Sequence, residues 1–177
     1  KRFRNNIFDK IPLFQTGEVE NSIQVLGIQN NQRTWKYFPK KYTEANHESL
    51  NQWKVLVPRA NGSGVLGEVL STPLIGLPLV GYTQSFIGIG SFENELEAQA
   101  CLKYVKTKFA RVLLGILKIT QDNDRGVWRF IPLQNFTATS DIDWSQSISD
   151  VDRQLYAKYG LSDDEITFIE SHVKEMK

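Results

Sequence analysis

Residues 91–118 read Ser91-Phe-Glu-Asn-Glu-Leu-Glu-Ala-Gln-Ala-Cys-Leu-Lys-Tyr-Val-Lys-Thr-Lys-Phe-Ala-Arg-Val-Leu-Leu-Gly-Ile-Leu-Lys118. Apolar side chains recur in this stretch at three- and four-residue spacing, which predicts one long amphipathic helix near 92–118. Ser91 is a suitable N-cap, and the glutamates that follow it suit the positive end of a helix dipole. The polar side of this helix is predicted to carry Lys103, Lys106, Lys108 and Arg111.

The residues ahead of this helix predict β structure, beginning with a hairpin. Apolar and polar side chains alternate over 22–29, Asn30 and Asn31 are turn formers, and 33–38 follows as a second strand with projecting aromatics. A short helix is then expected near 46–52.

Further strands are predicted in the rest of this half. Residues 53–59 form a β-rich run that a proline ends, and 85–90 is another short strand. Residues 61–64 predict a loop, and the frequent glycine and proline of 68–81 predict short, irregular strands.

After the long helix, the sequence predicts a strand at 128–132 and two helices, at 145–159 and 162–176. Gly160 separates the two helices, and Ser162 with a glutamate three residues later predicts a capping box. The fold class is therefore α+β, with a β-rich N-terminal half ahead of the helices. We expect one domain in all, with a β-rich part at 1–90 and a mainly helical support part at 91–177.

Composition is typical of a globular protein and hides an uneven charge distribution. The 177 residues are 41% hydrophobic and 23% charged, which argues against disorder and collagen. No apolar run approaches the ~20 residues of a membrane-spanning helix. The net charge is +1, but residues 1–60 carry ten Lys and Arg against five Asp and Glu, and residues 121–177 carry six against eleven. The basic end favours a polyanionic partner.

Cysteine and methionine counts restrict the setting. Cys101 is the single cysteine, which excludes an intramolecular disulfide and a cysteine-built zinc site, and we expect it to be buried. A cytoplasmic protein is the default expectation. The chain begins at Lys1 and its single methionine is Met176, so we expect a domain cut from a longer polypeptide.

No catalytic, cofactor-binding or metal-binding residue is predicted. Gly88-Ile-Gly90 lacks the third glycine of a dinucleotide fingerprint, and a structural turn explains it better. Carboxylates crowd residues 141–164, and Asp141 and Asp150 among them are expected to cap or flank helices. The single Glu-x-Lys stands at 175–177, a poor position for a metal-dependent nuclease.

The basic first half is the most informative signal about function. Its cations alternate with aromatic residues, namely Arg33, Lys36, Lys40, Lys41, Lys54 and Arg59 with Trp35, Tyr37, Tyr42 and Trp53. Such cations bind phosphates, and Arg, Asn, Gln and Ser on loops reach base edges. Exposed strand faces also carry lysine and tyrosine without any ligand. The candidate DNA-binding residues are Arg33, Lys36, Lys40, Lys41, Arg59, Asn61, Ser63, Gln84 and Ser85.

Three motifs in the second half carry a family resemblance. They are Tyr104-Val-Lys-Thr-Lys-Phe-Ala-Arg-Val-Leu-Leu114, Phe130-Ile-Pro-Leu-Gln-Asn-Phe136, and Asp152-Arg-Gln-Leu-Tyr-Ala-Lys-Tyr-Gly-Leu-Ser162 followed by Glu165-Ile-Thr-Phe-Ile-Glu170. In this order the motifs resemble the C-terminal part of adenine-specific DNA methyltransferases of bacterial restriction–modification systems, of the type IIG-like kind. Residues 53–59 are similar to the strand that opens the target-recognition region of that family.

The resemblance implies a target recognition domain, which finds a short double-stranded DNA sequence while the methylase domain of the same polypeptide methylates an adenine. It implies S-adenosylmethionine as the cofactor of the parent enzyme, and none in this fragment. Recognition residues differ among family members, so the nine candidates above rest on side-chain chemistry and loop placement alone.

Three other functions stay open. The chain could be the nuclease part of a restriction enzyme that uses its terminal carboxylates, or a non-catalytic module that docks its long helix on a partner. A catalytic methylase core is the third, and the sequence favours it least, because the Asn/Asp-Pro-Pro-Tyr motif of amino-methyltransferases is absent.

Overall fold

The order of elements along the chain confirms the predicted α+β class. The computed structural model describes residues 3–44, 47–60, 66, 70–117, 122–123 and 125–176. The strands are β1 (Ser22–Gln29), β2 (Gln32–Pro39), β3 (Trp53–Pro58), β4 (Leu74–Gly76), β5 (Val80–Tyr82) and β6 (Phe86–Phe92). The helices are α1 (Ile7–Lys10), α2 (Glu48–Asn51), α3 (Glu95–Lys106), α4 (Lys108–Leu117), α5 (Arg125–Trp128), α6 (Ile148–Tyr159) and α7 (Asp163–His172).

The predicted hairpin is confirmed and forms most of the first sheet. This sheet has the strand order β2-β1-β5, with β1 antiparallel to β2 and parallel to β5. Asn30 and Asn31 connect β1 to β2 with φ of 51° and 59°. A type I′ turn needs positive φ at both central residues, and asparagine tolerates that conformation. The turn residues therefore fix the register that places Gln29 opposite Gln32.

The second sheet is antiparallel, with the strand order β4-β3-β6. Both glycines of the Gly88-Ile-Gly90 motif have structural roles in β6. A Cβ on Gly88 would lie 2.5 Å from the Tyr82 hydroxyl, so the missing side chain lets Tyr82 of the first sheet approach the second. Gly90 has a φ of +76°, which glycine adopts readily. The motif therefore belongs to a strand, and the predicted turn between strand and helix is wrong.

The core is built in layers, with the second sheet between the first sheet and the helices. One cluster, which includes Phe8, Phe14 and Phe38, packs the N-terminal segment on the first sheet. Leu26, Leu56, Val80 and Phe86 fill the space between the sheets. Val55 and Val57 point to the opposite side of β3, where they share a core with α3, α4, α6 and α7. Alternation along β3 thus joins the β-rich part directly to the helical part.

The prediction of one long helix near 92–118 is wrong, because the helix is interrupted at Thr107. Thr107 leaves the helical region with ψ of 150°, and its hydroxyl accepts a hydrogen bond from the Ala110 amide. The Asp152 carboxylate of α6 accepts from the amides of Lys108 and Phe109, at 3.0 and 2.9 Å. These amides begin α4 instead of continuing α3. The N-cap of α3 is Asn94, whereas Ser91 lies in β6.

Arg111 also departs from the predicted polar side of the helix. It is 2% exposed, and its side chain donates hydrogen bonds to the carbonyls of Lys106, Thr107 and Lys174. Because the break at Thr107 frees carbonyls at the end of α3, Arg111 is used to pair them and to hold the C-terminal segment. The guanidinium is therefore a structural group of the helical part.

Predictions for the C-terminal region are partly confirmed. The strand expected at 128–132 is wrong: α5 ends at Trp128 and the following residues form a turn, with Phe130 more than half exposed. The two helices are confirmed with shorter bounds, at Ile148–Tyr159 and Asp163–His172. Gly160 adopts the left-handed conformation between them, and the capping box at Ser162 forms as expected.

Candidate nucleic-acid interface

A cleft of about 1120 Å³ opens where the ends of both sheets meet the N-terminal segment. It is lined by the β1–β2 turn, the residues after β3, the turn between β5 and β6, and Asp122. We call this space the sheet-end cleft. Among the candidate DNA-binding residues, Arg33, Arg59, Gln84 and Ser85 line it.

Backbone contacts fix Arg59 at one wall of the sheet-end cleft. The Arg59 amide donates to the Ser85 carbonyl at 2.9 Å, and the Arg59 carbonyl accepts from the Asn123 amide at 2.6 Å. Asn123 is fully buried and its side-chain amide donates to the carbonyl of Pro58 at 3.3 Å. Arg59, the first residue after β3, is therefore held between two other segments of the chain.

Arg33 and Gln84 are positioned by neighbouring elements. The Arg33 guanidinium lies over the Phe86 ring, 5.8 Å from its centroid, a cation–π distance. Partial desolvation lowers the pKa of Arg33, yet a guanidinium stays charged at neutral pH. The backbone amide of Gln84 donates to the Phe3 carbonyl at 2.8 Å, so the turn that carries its exposed side chain is tied to the N-terminal segment.

The lining is rich in amides and balanced in charge. Six amide side chains contribute to it, from Asn5, Asn6, Gln29, Asn30, Asn31 and Gln84. Two carboxylates offset the two arginines: Asp9 accepts from the Gln29 amide at 2.5 Å, and Asp122 lies 3.5 Å from the Arg59 guanidinium. Such a surface offers directional donors and acceptors in place of a general attraction for anions.

The other candidate residues lie elsewhere. Lys36 projects from the opposite face of β2, with its ammonium over the Phe8 ring at 5.6 Å. Lys40 and Lys41 follow β2 at the far end of the hairpin, roughly 25 Å from its turn at ~3.3 Å per strand residue. Asn61 and Ser63 lie outside the described residues.

Lys54 does not belong to the basic surface that the sequence suggests. It is 1% exposed, and its ammonium donates to the carbonyls of Ser49 and Gln52 at 2.5 and 2.9 Å. Burial lowers the pKa of Lys54 to about 8. Lys54 therefore anchors the short helix α2 to β3 and is closed to a phosphate.

Comparison with protein-family models, with curated proteins and with solved structures gives no match. The methyltransferase resemblance therefore rests on the sequence motifs alone. In the described structure, the motifs at 104–114, 130–136 and 152–170 contribute no residue to the lining of the sheet-end cleft.

The motif residues instead connect the helices to one another. The Tyr104 hydroxyl donates to the Pro132 carbonyl at 2.7 Å, which joins the first motif to the second. The Tyr156 hydroxyl donates to Glu170 at 2.9 Å, within the third. The positions that carry the resemblance thus hold the helical part together.

The carboxylates considered for a nuclease have local partners. Asp141 pairs with Lys158 at 2.8 Å, and Asp143 accepts from the Ser145 amide. The Asp150 carboxylate accepts from the Ser147 hydroxyl, which in turn accepts from the Asp150 backbone amide as the cap of α6. Among the described residues, no group of three His, Cys, Asp or Glu side chains is placed to hold a metal ion. Cys101 is buried as predicted, and burial raises the pKa of its thiol.

Sequence reasoning missed several residues of the cleft. Asn5, Asn6 and Asp9 come from an N-terminal segment that carried no motif, and Asp122 comes from the acidic end of the chain. The amide run 29–32 was a usable signal, since it supplies three lining residues besides forming the turn. In the part of the chain that is described, no helix is long and apolar enough to cross a bilayer.

Proposed function

We propose that this chain recognises a specific sequence in double-stranded DNA, as the target recognition domain of an N6-adenine DNA methyltransferase of a restriction–modification system. One observation carries the proposal: Arg33, Arg59, Gln84 and Ser85, chosen from the sequence for their chemistry, converge on one amide-rich cleft. Arginine and amide side chains are the groups that read base edges in the major groove.

The two ends of the hairpin have different roles in this proposal. The sheet-end cleft reads bases, where each good bidentate contact is worth ~1–3 kcal/mol of discrimination. Lys40 and Lys41 bind backbone phosphates at the other end, roughly 25 Å away, which corresponds to about seven base pairs at ~3.4 Å each. Sequence preference and general affinity thereby come from separate groups.

Apart from Asp122, the helical part supports recognition and faces away from DNA, because its acidic surface is repelled by phosphates. Catalysis belongs to a methylase domain of the same bacterial, cytoplasmic polypeptide, which would bind S-adenosylmethionine. The chain itself supplies no catalytic group in this proposal. Asp141 is paired with Lys158 and Asp150 with Arg153, and these local ion pairs weigh against the nuclease alternative.

The proposal is tested by selection from a library of randomised duplexes with the intact chain, followed by fluorescence anisotropy on the selected duplex and on a shuffled one. We expect one enriched sequence and a preference for it over the shuffled duplex. The double variant Arg33→Gln/Gln84→Ala should lose that preference.

A matched control changes the same residue types in the helical part. Arg153 is 70% exposed in its side chain and Gln99 is exposed on α3. The variant Arg153→Gln/Gln99→Ala should keep the preference of the wild type. Failure of the wild type to bind any duplex at low salt would contradict the proposal, and Mg²⁺-dependent cleavage of plasmid DNA would favour the nuclease alternative.

A further inference from the structure

The fold constrains Arg59 from three directions at the wall of the sheet-end cleft. Its backbone is paired on one side with Ser85 and on the other with Asn123, and the following residue, Ala60, bridges to Asp122. Its guanidinium then lies 3.5 Å from the Asp122 carboxylate. Both side chains are about half exposed, at 43% and 49%, so the pair stands at the surface where a ligand can reach it.

The ion pair changes what Arg59 can bind. A guanidinium carries five N–H donors in a planar fork, and a carboxylate partner on one Nη group orients the plane without using all of them. The negative charge of Asp122 also offsets the positive charge of Arg59, which weakens the attraction for phosphate. The N–H groups of Arg59 that do not face Asp122 can donate to two acceptors lying in one plane.

Guanine presents such a pair in the major groove, at O6 and N7, and arginine is its commonest specific partner. We propose that Arg59 reads a guanine of the target sequence through these two atoms, and that Asp122 is a positioning residue that holds the guanidinium plane. This inference rests on the proposed function of the sheet-end cleft as a DNA-reading surface.

The first test uses the duplex selected by the wild-type chain and replaces each guanine in turn by adenine and by 7-deazaguanine, which lacks the N7 acceptor. One guanine should be sensitive, with affinity falling roughly 10- to 100-fold on replacement by adenine and by a smaller factor with 7-deazaguanine. In Arg59→Gln, the same two replacements should have little further effect, because the contact is already lost.

A second variant separates base reading from phosphate binding. Arg59→Lys keeps the positive charge but lacks the planar fork, so it should retain affinity for a shuffled duplex and lose discrimination at the sensitive guanine. Asp122→Asn should also reduce discrimination, while affinity for the shuffled duplex stays equal or rises. A merely structural role of Asp122 would lower the melting temperature and weaken all duplexes alike.

The outcomes distinguish failure of the Arg59–guanine contact from failure of sequence-specific DNA recognition as a whole. If Arg59→Gln weakens every duplex equally and the guanine preference persists, Arg59 contacts phosphate; the inference fails and the proposed function stands. If no replacement of a guanine by 7-deazaguanine lowers the affinity for the selected duplex, the inference about Arg59 also fails and the proposed function stands. A wild-type chain that enriches no sequence overturns both. Arg153→Gln, which removes the arginine of another Arg–Asp pair on α6, should leave every one of these values unchanged.

Discussion

Asp152 determines where α4 begins, and its replacement measures how much stability that contact supplies. The Asp152 side chain is 2% exposed and accepts from the amides of Lys108 and Phe109 at 3.0 and 2.9 Å. In Asp152→Ala both amides lose their acceptor, and each unsatisfied buried donor costs about 1–3 kcal/mol. We expect the free energy of unfolding to fall by about 3 kcal/mol, measured by urea denaturation with tryptophan fluorescence.

A matched control is available on α7. Asp163 lies exposed in the first turn of that helix, so Asp163→Ala should cost less than about 1 kcal/mol. Asp152→Asn keeps one acceptor oxygen and should recover part of the loss. If Asp152→Ala is no less stable than Asp163→Ala, the carboxylate is not what separates α3 from α4.

The pH dependence of Asp152 provides an independent check. Burial raises its pKa from 3.8 to about 6, although the two amides act in the opposite direction. A folded-state pKa above the unfolded value means that the ionised form is penalised, so the contribution to stability is fully present below about pH 4 and is lost as the pH rises through about 6. Between those limits, the unfolding free energy of the wild type should fall by about 3 kcal/mol relative to Asp152→Asn.

Three further predictions concern other parts of the chain. Burial lowers the pKa of Lys54 from 10.5 to about 8, so stability should rise as the pH increases between these values, by up to ~1.4 kcal/mol per pH unit, and Lys54→Met should abolish that rise in urea denaturation. Lys40→Gln combined with Lys41→Gln should weaken all duplexes alike and reduce the slope of log affinity against log salt by up to ~1.8, with the selected sequence unchanged; a changed sequence would refute the phosphate role. Ser162→Ala should lower the unfolding free energy by about 1 kcal/mol through loss of the α7 cap, whereas an unchanged thermal transition would show that the capping box contributes nothing.

Local features were predictable from the sequence because their causes are local. The β1–β2 hairpin follows from alternation and from two turn-forming asparagines, and the start of α7 follows from Ser162 and Glu165. Each of these signals lies within about ten residues of its structural effect. The α+β class follows from the same kind of reasoning.

The break at Thr107 has a distant cause. The carboxylate that caps α4 belongs to Asp152, more than forty residues later in the chain. The periodicity of apolar residues within 92–118 therefore cannot predict where the helix is interrupted. The burial of Arg111 has the same origin, since one of its acceptors is the carbonyl of Lys174. Patterns within a helix predict its apolar stripe, but they do not reveal which polar groups another helix will enclose.

The sheet-end cleft depends on local side-chain chemistry and also on contacts between residues that are distant in sequence. Side-chain chemistry selected Arg33, Arg59 and Gln84 as candidate DNA-binding residues, and all three line the cleft. Their common location depends on the packing of the two sheets against each other, which side-chain chemistry does not predict. The carboxylate partner of Arg59 could not be foreseen, because Asp122 lies in the acidic third of the chain, far in sequence from the basic half that supplies the other charged candidates.

The presence of Asp122 in the cleft changes the net charge that the basic half presents to a ligand. Arginines without partners would attract any duplex, and the affinity gained would be the same for every sequence. Asp122 lies beside Arg59 and Asp9 beside Gln29, so the charges of the cleft cancel. Under the proposed function, hydrogen-bond geometry then distinguishes one base from another. General attraction then has to come from cations outside the cleft, and Lys40 and Lys41 stand at the far end of the same hairpin. Variants at the two ends should therefore have separable effects, with salt dependence changed at one end and sequence preference at the other.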